Sequence, residues 1–278
     1  MFERRTEHPF WLWESIMNTP DMLEACLEQP IRSQVDRVAD RIANLAPRHV
    51  YCVGTGSSSY ASMAHACAFE QVAGVPASSH VTSELGAYPP VDLGPGSVVI
   101  ASSHSGRTIG DLPVIELARQ RGAYTVGITD IADSPLARSV DDAIIGPGGP
   151  KAELPATHTY AAAIYRVLQV AIALAKRLGR EDSAAMYEGK LTQVPGLLRT
   201  LVDDFAARAP GFAQALSDRS LYFVVSAGPN KCTAYEGALS LLQSTGVGAR
   251  PYHVEEMLHG PIQALTREMC TVAIAAPG

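Results

Sequence analysis

The sequence predicts an α/β protein built from doubly wound, parallel, flavodoxin-like sheets, arranged as two units in tandem with the second incomplete. Three observations carry this expectation. Short apolar strands alternate with amphipathic helices from residue 49 onward. The strands are near-continuous apolar runs, the pattern of sheets covered on both faces. A strand-turn pattern then recurs late in the chain at a constant offset. The length of 278 residues is enough for about two domains.

In chain order, residues 10–46 read as two helices, the second spanning about 31–45 on the apolar set Val35, Val38, Ile42 and Leu45. The first α/β unit then runs as strand 49–54, helix 58–72, strand 79–85, strand 97–103 and helix 108–121. It continues with strand 124–129, a short helix from Ser134 and strand 142–146. Residues 156–179 read as a helix with Ile164, Val167, Leu168, Ala171, Ile172 and Ala175 on one stripe. A further helix, about 182–208, leads to strand 220–226. This division gives an N-terminal helical segment (1–34), a first domain (35–180), and a linker helix with a partial second domain (181–278).

The recurrence is legible residue by residue. Val53-Gly54-Thr55-Gly56 and Val225-Ser226-Ala227-Gly228 each close an apolar strand, 172 positions apart. The same offset pairs Glu84-Leu85 with Glu256-Met257 and Ile100-Ala101 with Val272-Ala273. The second copy stops opposite Gly106, which implies either a shortened chain or a second sheet completed by another subunit.

Composition narrows the function. Hydrophobic residues make up 47% and charged residues 18%, so the chain is globular and not disordered. Against 28 Asp+Glu there are only 22 Lys+Arg, for a net charge of -6 and no basic run, which argues against nucleic acid as a partner. The acidic N-terminus does not read as a signal peptide. The longest apolar stretch, 160–178, is broken by Arg166, Gln169 and Lys176, so it reads as a buried helix and not as a membrane span. Five scattered cysteines without a Cys-x-x-Cys pair read as buried thiols in a reducing cytoplasm.

Two loops carry the chemistry. Gly54-Thr55-Gly56-Ser57-Ser58-Ser59 turns a strand into a helix, so amides and hydroxyls converge on a helix N-terminus that favours an anion. A dinucleotide fingerprint needs glycine at position 59, and a nucleotide P-loop needs Gly-Lys-Ser/Thr; neither is present, so no nucleotide cofactor is expected. Taken alone, this turn reads equally well as a cap of its helix. The second loop, Ser102-Ser103-His104-Ser105-Gly106-Arg107-Thr108, opens at the same sheet edge, and together the two read as a phosphate cradle. Arg107 adds a positive charge suited to a terminal oxyanion, or is a solvated surface arginine.

These motifs, with Leu154-Pro155-Ala156-Thr157-His158-Thr159-Tyr160, Tyr235-Glu236-Gly237-Ala238 and His259-Gly260-Pro261, resemble the tandem sugar isomerase (SIS) domain proteins. The resemblance spans about residues 35–278 and is to the isomerase half of glucosamine-6-phosphate synthase, the fructosamine-6-phosphate deglycases and the amino-sugar phosphate isomerases or deaminases. It implies that Ser58, Ser103, His104, Ser105, Arg107 and Thr108 face a sugar phosphate or other anionic sugar. Leu154 and Thr157 then line the sugar, and His259 assists ring opening across a homodimer whose subunits share the site. Imidazole suits such proton transfer.

The departures are specific. The family's catalytic glutamate falls on Gln243, counted seven residues after Glu236 and sixteen before His259, and an amide is no base. A family lysine position holds Ser240, His104 replaces a glutamine, Arg107 replaces a glutamate, and the family's C-terminal lysine segment has no counterpart. Glu256 is the candidate substitute base, with Glu236 and Glu255 behind it. No His-Glu-x-x-His spacing points to a metal, and no Gly-x-Ser-x-Gly elbow points to a serine hydrolase. The expectation is a cytoplasmic enzyme of the isomerase or deglycase type, or a non-catalytic sugar-phosphate sensor.

Overall fold

The computed structural model describes residues 5–149 and 155–276. They form an α/β fold with two parallel sheets. The chain divides into two units. One comprises Asn18–Lys151 with Thr157–Leu198, and the other the residues from Arg199 onward with the segment up to Met17.

The larger unit is a five-stranded sheet of β1 (His49–Gly54), β2 (Ala77–Val81), β3 (Ser97–Ser102), β4 (Tyr124–Thr129) and β5 (Asp142–Ile145), in spatial order 2-1-3-4-5. Every pairing is parallel. β1, β3 and β4 are almost entirely buried, as strands covered on both faces must be. One face packs Val50, Cys52, Val98, Ile100 and Val126 against helices α3 (Ile31–Asn44), α4 (Ser57–Ala68) and α8 (His158–Arg177). The other packs Tyr51, Val53, Val99 and Ala101 under α5 (Thr82–Ala87) and α6 (Asp111–Gln120). In the order 2-1-3-4-5 the chain leaves β1 toward one edge for β2 and toward the other for β3, so the switch point lies between β1 and β3.

The smaller unit centres on β6 (Leu221–Ser226), flanked in parallel by β7 (Gly248–His253) and β8 (Met269–Ala273). Helix α11 (Lys231–Thr245) buries Ala234 and Ala238 against Val224 on one face. Met257 of α12 (Val254–Leu258) packs with Phe223 and Val225 in a separate cluster. The strand-then-short-helix order of β2–α5 thus recurs in β7–α12.

Several sequence expectations need correction. Residues 10–46 hold three helices, because α1 (Trp11–Met17) and α2 (Thr19–Ala25) precede α3. The strand expected over 79–85 ends at Val81: Thr82 is buried, bonds Asp111 and begins α5. Helix 182–208 is two helices, α9 (Glu181–Leu191) and α10 (Val194–Leu216), because Pro195, with no N–H, suits the first turn of a new helix and not the interior of a continuing one. Glu236 lies in the middle of α11.

α8 is buried far more widely than a one-sided stripe. Tyr165, Arg166, Val167 and every residue from Gln169 to Ala175 are inside. Of the three polar interruptions in this apolar stretch, Gln169 and Arg166 are buried and both are satisfied. Gln169 Nε2 donates to the Cys26 carbonyl at 3.1 Å. Arg166, 1% exposed, donates to the carbonyls of Thr129 (2.9 Å), Ile144 (3.2 Å) and Ala162 (3.1 Å), and its Nη2 lies 3.1 Å from Asp130 Oδ1. Gly146 makes room: a Cβ there would sit 1.9 Å from Asp130 Oδ1 and 2.2 Å from Arg166 Nη1. Removing one partner of a buried pair leaves a charge without compensation. Arg166→Met is therefore expected to destabilise the protein by about 3–5 kcal/mol, read from the urea-unfolding midpoint; a loss under about 1 kcal/mol would show that the pair is dispensable.

Candidate functional site

The loops after β1 and β3 leave neighbouring parallel strands at the switch point, where the carboxyl ends of the strands open a crevice. After β1 the chain turns sharply into α4. Gly56 has a left-handed φ of 59°, and Gly54 lies so close to the first turn of α4 that a Cβ would sit 2.4 Å from the Ser58 carbonyl carbon. Ser57, Ser58 and Ser59 are half-buried on the first turn of α4.

The loop after β3 is longer than the sequence predicts, because α6 begins at Asp111 and not at Thr108. Its shape is set by hydrogen bonds to the end of β4 and the segment after it. The Ser103 amide donates to Ile128 O at 3.0 Å, while His104 O accepts from the Asp130 amide at 3.1 Å and from Thr129 Oγ1 at 2.9 Å. The Leu136 amide donates to Gly106 O at 3.0 Å. Gly106 has φ 60°, and a Cβ there would meet Ser134 Oγ at 2.2 Å, so only glycine fits the bend.

Within this frame Ser103 Oγ and Thr108 Oγ1 lie 2.9 Å apart, the first buried and the second half-buried. Ser105 is exposed and its hydroxyl accepts from the Arg107 amide at 3.3 Å; the Arg107 residue is itself exposed. The loop thus collects three hydroxyls and a guanidinium-bearing residue over the six positions 103–108. Thr157 occupies the position just before α8, without a side-chain capping bond, and is half-buried. Leu154 lies outside the described residues.

In the smaller unit, His259 follows α12 directly; its amide bonds the Glu255 carbonyl at 3.0 Å, and the residue is exposed. Glu256 is also exposed, since α12 turns Met257 inward. Gln243 lies in the last turn of α11 and is exposed, whereas Glu236, two turns earlier, is buried. Among the described residues no group of three or more His, Cys, Asp or Glu side chains is arranged to hold a metal ion.

Three functional-looking residues escape sequence reasoning. Asp130 and Arg166 form the buried pair described above, and His104 Nδ1 lies 2.8 Å from Asp130 Oδ2. Burial works against the Asp130 carboxylate, but Arg166 and His104 outweigh it and hold its pKa below the ordinary value. Asp111, 1% exposed, accepts from Thr82 Oγ1 at 3.3 Å, and its amide donates to the Thr108 carbonyl at 3.1 Å. The signals were present: a lone arginine in an apolar helix demands a buried partner, and Asp130 follows directly on the carboxyl end of a strand.

Burial pushes the Asp111 carboxyl from 3.8 up to about 6, against the opposing effect of the Thr82, Ser103 and Thr108 hydroxyls. A folded value above the ordinary one means that the carboxylate costs stability, fully above about pH 6 and not at all below about pH 4. At about 1.4 kcal/mol per pH unit the cost is about 3 kcal/mol. Asp111→Asn is accordingly expected to be about 2–3 kcal/mol more stable than wild type at pH 7.5 and equal to it near pH 4, measured by urea unfolding. A difference that does not change with pH would overturn this.

The comparisons with known proteins agree with this architecture. Over 261 residues the chain is 28% identical to the glutamine–fructose-6-phosphate aminotransferase (isomerizing) of Pyrobaculum aerophilum, covering 94% of this chain and 42% of that protein. The chain spans less than half the length of the curated relatives it matches first. Among solved structures, the C-terminal domain of glucosamine-fructose-6-phosphate aminotransferase from Francisella tularensis superposes with a TM-score of 0.85 at 20% identity, over 98% of this chain and 77% of that one. Tagatose-6-phosphate ketose/aldose isomerase from Escherichia coli gives 0.75 at 18%, over 98% and 75%. At these identities both likenesses speak to the fold. Residues 46–173, which include both loops of the crevice, match the family model of the SIS domain.

Proposed function

We propose that the crevice between the loops after β1 and β3 binds a phosphorylated sugar or amino sugar, and that the protein catalyses aldose/ketose isomerisation, deglycation or deamination of it. The observation that carries the reading is the loop 103–108 at the switch point, with Ser103, Ser105 and Thr108 supplying hydroxyls. Ser58 and the amides at the start of α4 add donors, and Arg107 adds positive charge at the rim. Leu154 and Thr157 line the sugar.

In this reading His259, donated across a homodimer whose subunits share the site, moves a proton to the ring oxygen as the ring opens. Transfer between C1 and C2 requires a group that removes a carbon-bound proton and returns it to the neighbouring carbon. Gln243 orients that region without accepting the proton, and Glu256 is the candidate base. The two parallel sheets are read as tandem copies of one SIS unit, the second partial, with a helical segment (1–34), a first domain (35–180) and a linker helix with partial second domain (181–278). The protein works in the cytoplasm with no cofactor, nucleic acid or membrane partner. No helix among the described residues is long and apolar enough to cross a membrane.

A second reading is favoured by one residue. Gln243 keeps the size and hydrogen bonding of a glutamate but not its basicity, as a sugar-phosphate sensor or regulatory subunit tolerates.

The Ser105→Ala, Thr108→Ala double variant is expected to weaken fructose 6-phosphate binding by at least about tenfold, from the loss of two charge-assisted hydrogen bonds, under both readings. Unchanged affinity by calorimetry removes the cradle. Proton NMR in deuterated water separates enzyme from sensor: deuterium entering C1 or C2 of hexose, hexosamine or fructosamine phosphates identifies an enzyme, and binding without exchange identifies a sensor. Gln243→Glu is expected to raise the exchange rate, and no increase would show that position 243 does not face C1–C2.

A further inference from the structure

His104 is the one titratable side chain within the hydroxyl loop that has a buried acidic partner. Its carbonyl is fixed by the Asp130 amide and Thr129 Oγ1, and its Nδ1 is 2.8 Å from Asp130 Oδ2. Asp130 is itself held by Arg166, whose remaining bonds all go to main-chain carbonyls. A carboxylate only accepts, so Nδ1 carries a hydrogen and the ring is left with Nε2. Among the described residues Nε2 has no partner, and the side chain keeps 20% exposure while Asp130 and Arg166 keep 1% each.

The charges decide what such a ring is for. Asp130 and Arg166 cancel, so with a neutral imidazole the trio carries no net charge, and with an imidazolium it carries one positive charge in a loop of hydroxyls. From the other surroundings, Arg107 on the same loop is exposed, and the Asp111 amide of α6 donates to the Thr108 carbonyl at 3.1 Å. His65 of α4, behind Ser102, is held neutral because burial pushes it down to about 3. An anion at Nε2 would face a ring whose Nδ1 is already bonded to Asp130, so the charged ring can donate to both.

We propose that His104 binds the terminal anion as an imidazolium, so that the site takes up a proton when it binds a phosphate ester. This rests on the sugar-phosphate reading above and adds to it a selectivity for the dianion. Above about pH 7, where a phosphate monoester is a dianion, an imidazolium formed as the ester binds draws its proton from solution. Affinity therefore falls as pH rises, by up to about tenfold per pH unit for one proton. Asp130 is the positioning residue that fixes Nδ1–H and aims Nε2.

The test is calorimetry of fructose 6-phosphate, and of inorganic phosphate, with the full chain near pH 8 in buffers of different ionisation enthalpy. The expected result is net proton uptake by wild type and an affinity that drops between about pH 7.5 and 8.5. His104→Gln is expected to bind more weakly at pH 7.5, with no proton uptake and no pH slope, and Asp130→Asn to reduce the uptake. Should either variant fail to fold, 15N-imidazole NMR of the wild-type protein reads the same event, since inorganic phosphate is expected to shift the His104 nitrogens to the charged form. Binding without proton uptake, uptake unchanged in His104→Gln, or an imidazole that stays neutral with phosphate bound overturns this proposal and leaves the hydroxyl cradle standing. Absence of binding by both probes overturns the cradle and the proposal together.

Discussion

The larger unit depends on one interaction placed where water cannot reach it: the Arg166–Asp130 ion pair. Taking both charges out of water costs several kcal/mol per ion, so the pair persists only because each guanidinium nitrogen has a partner. Arg166 spends its other hydrogen bonds on the carbonyls of Thr129, Ile144 and Ala162, tying α8 to the ends of β4 and β5. Gly146 and Gly148 leave the space that the two side chains fill. A hydrophobic pair could fill that volume, but it could not orient a third polar group.

That third group is His104, and through it the core reaches the crevice. The chain of contacts runs from a buried helix, through an aspartate at the end of β4, to the loop after β3. The same loop is tied to α6 by the Asp111 amide, which donates to the Thr108 carbonyl at 3.1 Å, and burial raises the pKa of the Asp111 carboxyl. The loop is therefore braced by two aspartates with buried carboxyls, one ionised beside Arg166 and one poised near pH 6. Such bracing holds donors in place before a ligand arrives, which lowers the ordering cost of binding.

Much of this was legible in the sequence. The boundaries of β1, β3, β4, β5 and β6 fall within a residue of the apolar runs, because strands buried on both faces leave little choice of residue. The two hydroxyl loops and their shared sheet edge were legible for the same reason: strand polarity alone puts them together. The errors fall where a local pattern met a distant partner. Val81-Thr82 reads as strand, yet Thr82 is drawn into a helix start bonded to Asp111, and Thr108 is withdrawn from α6 to sit beside Ser103.

The sequence by itself determined the alternating α/β order, the parallel sheets and the hydroxyl-rich loop, since these follow from periodicity, turn residues and chain direction. The substitution of an amide at Gln243 was also visible there. Only the tertiary structure decided the partners of the buried charges. Arg166 is separated from Asp130 by 36 positions and Asp130 from His104 by 26, and spacing of that size carries no periodic signal. Their pairing is set by desolvation, which forces each buried polar atom to find an answering one wherever the fold has placed it.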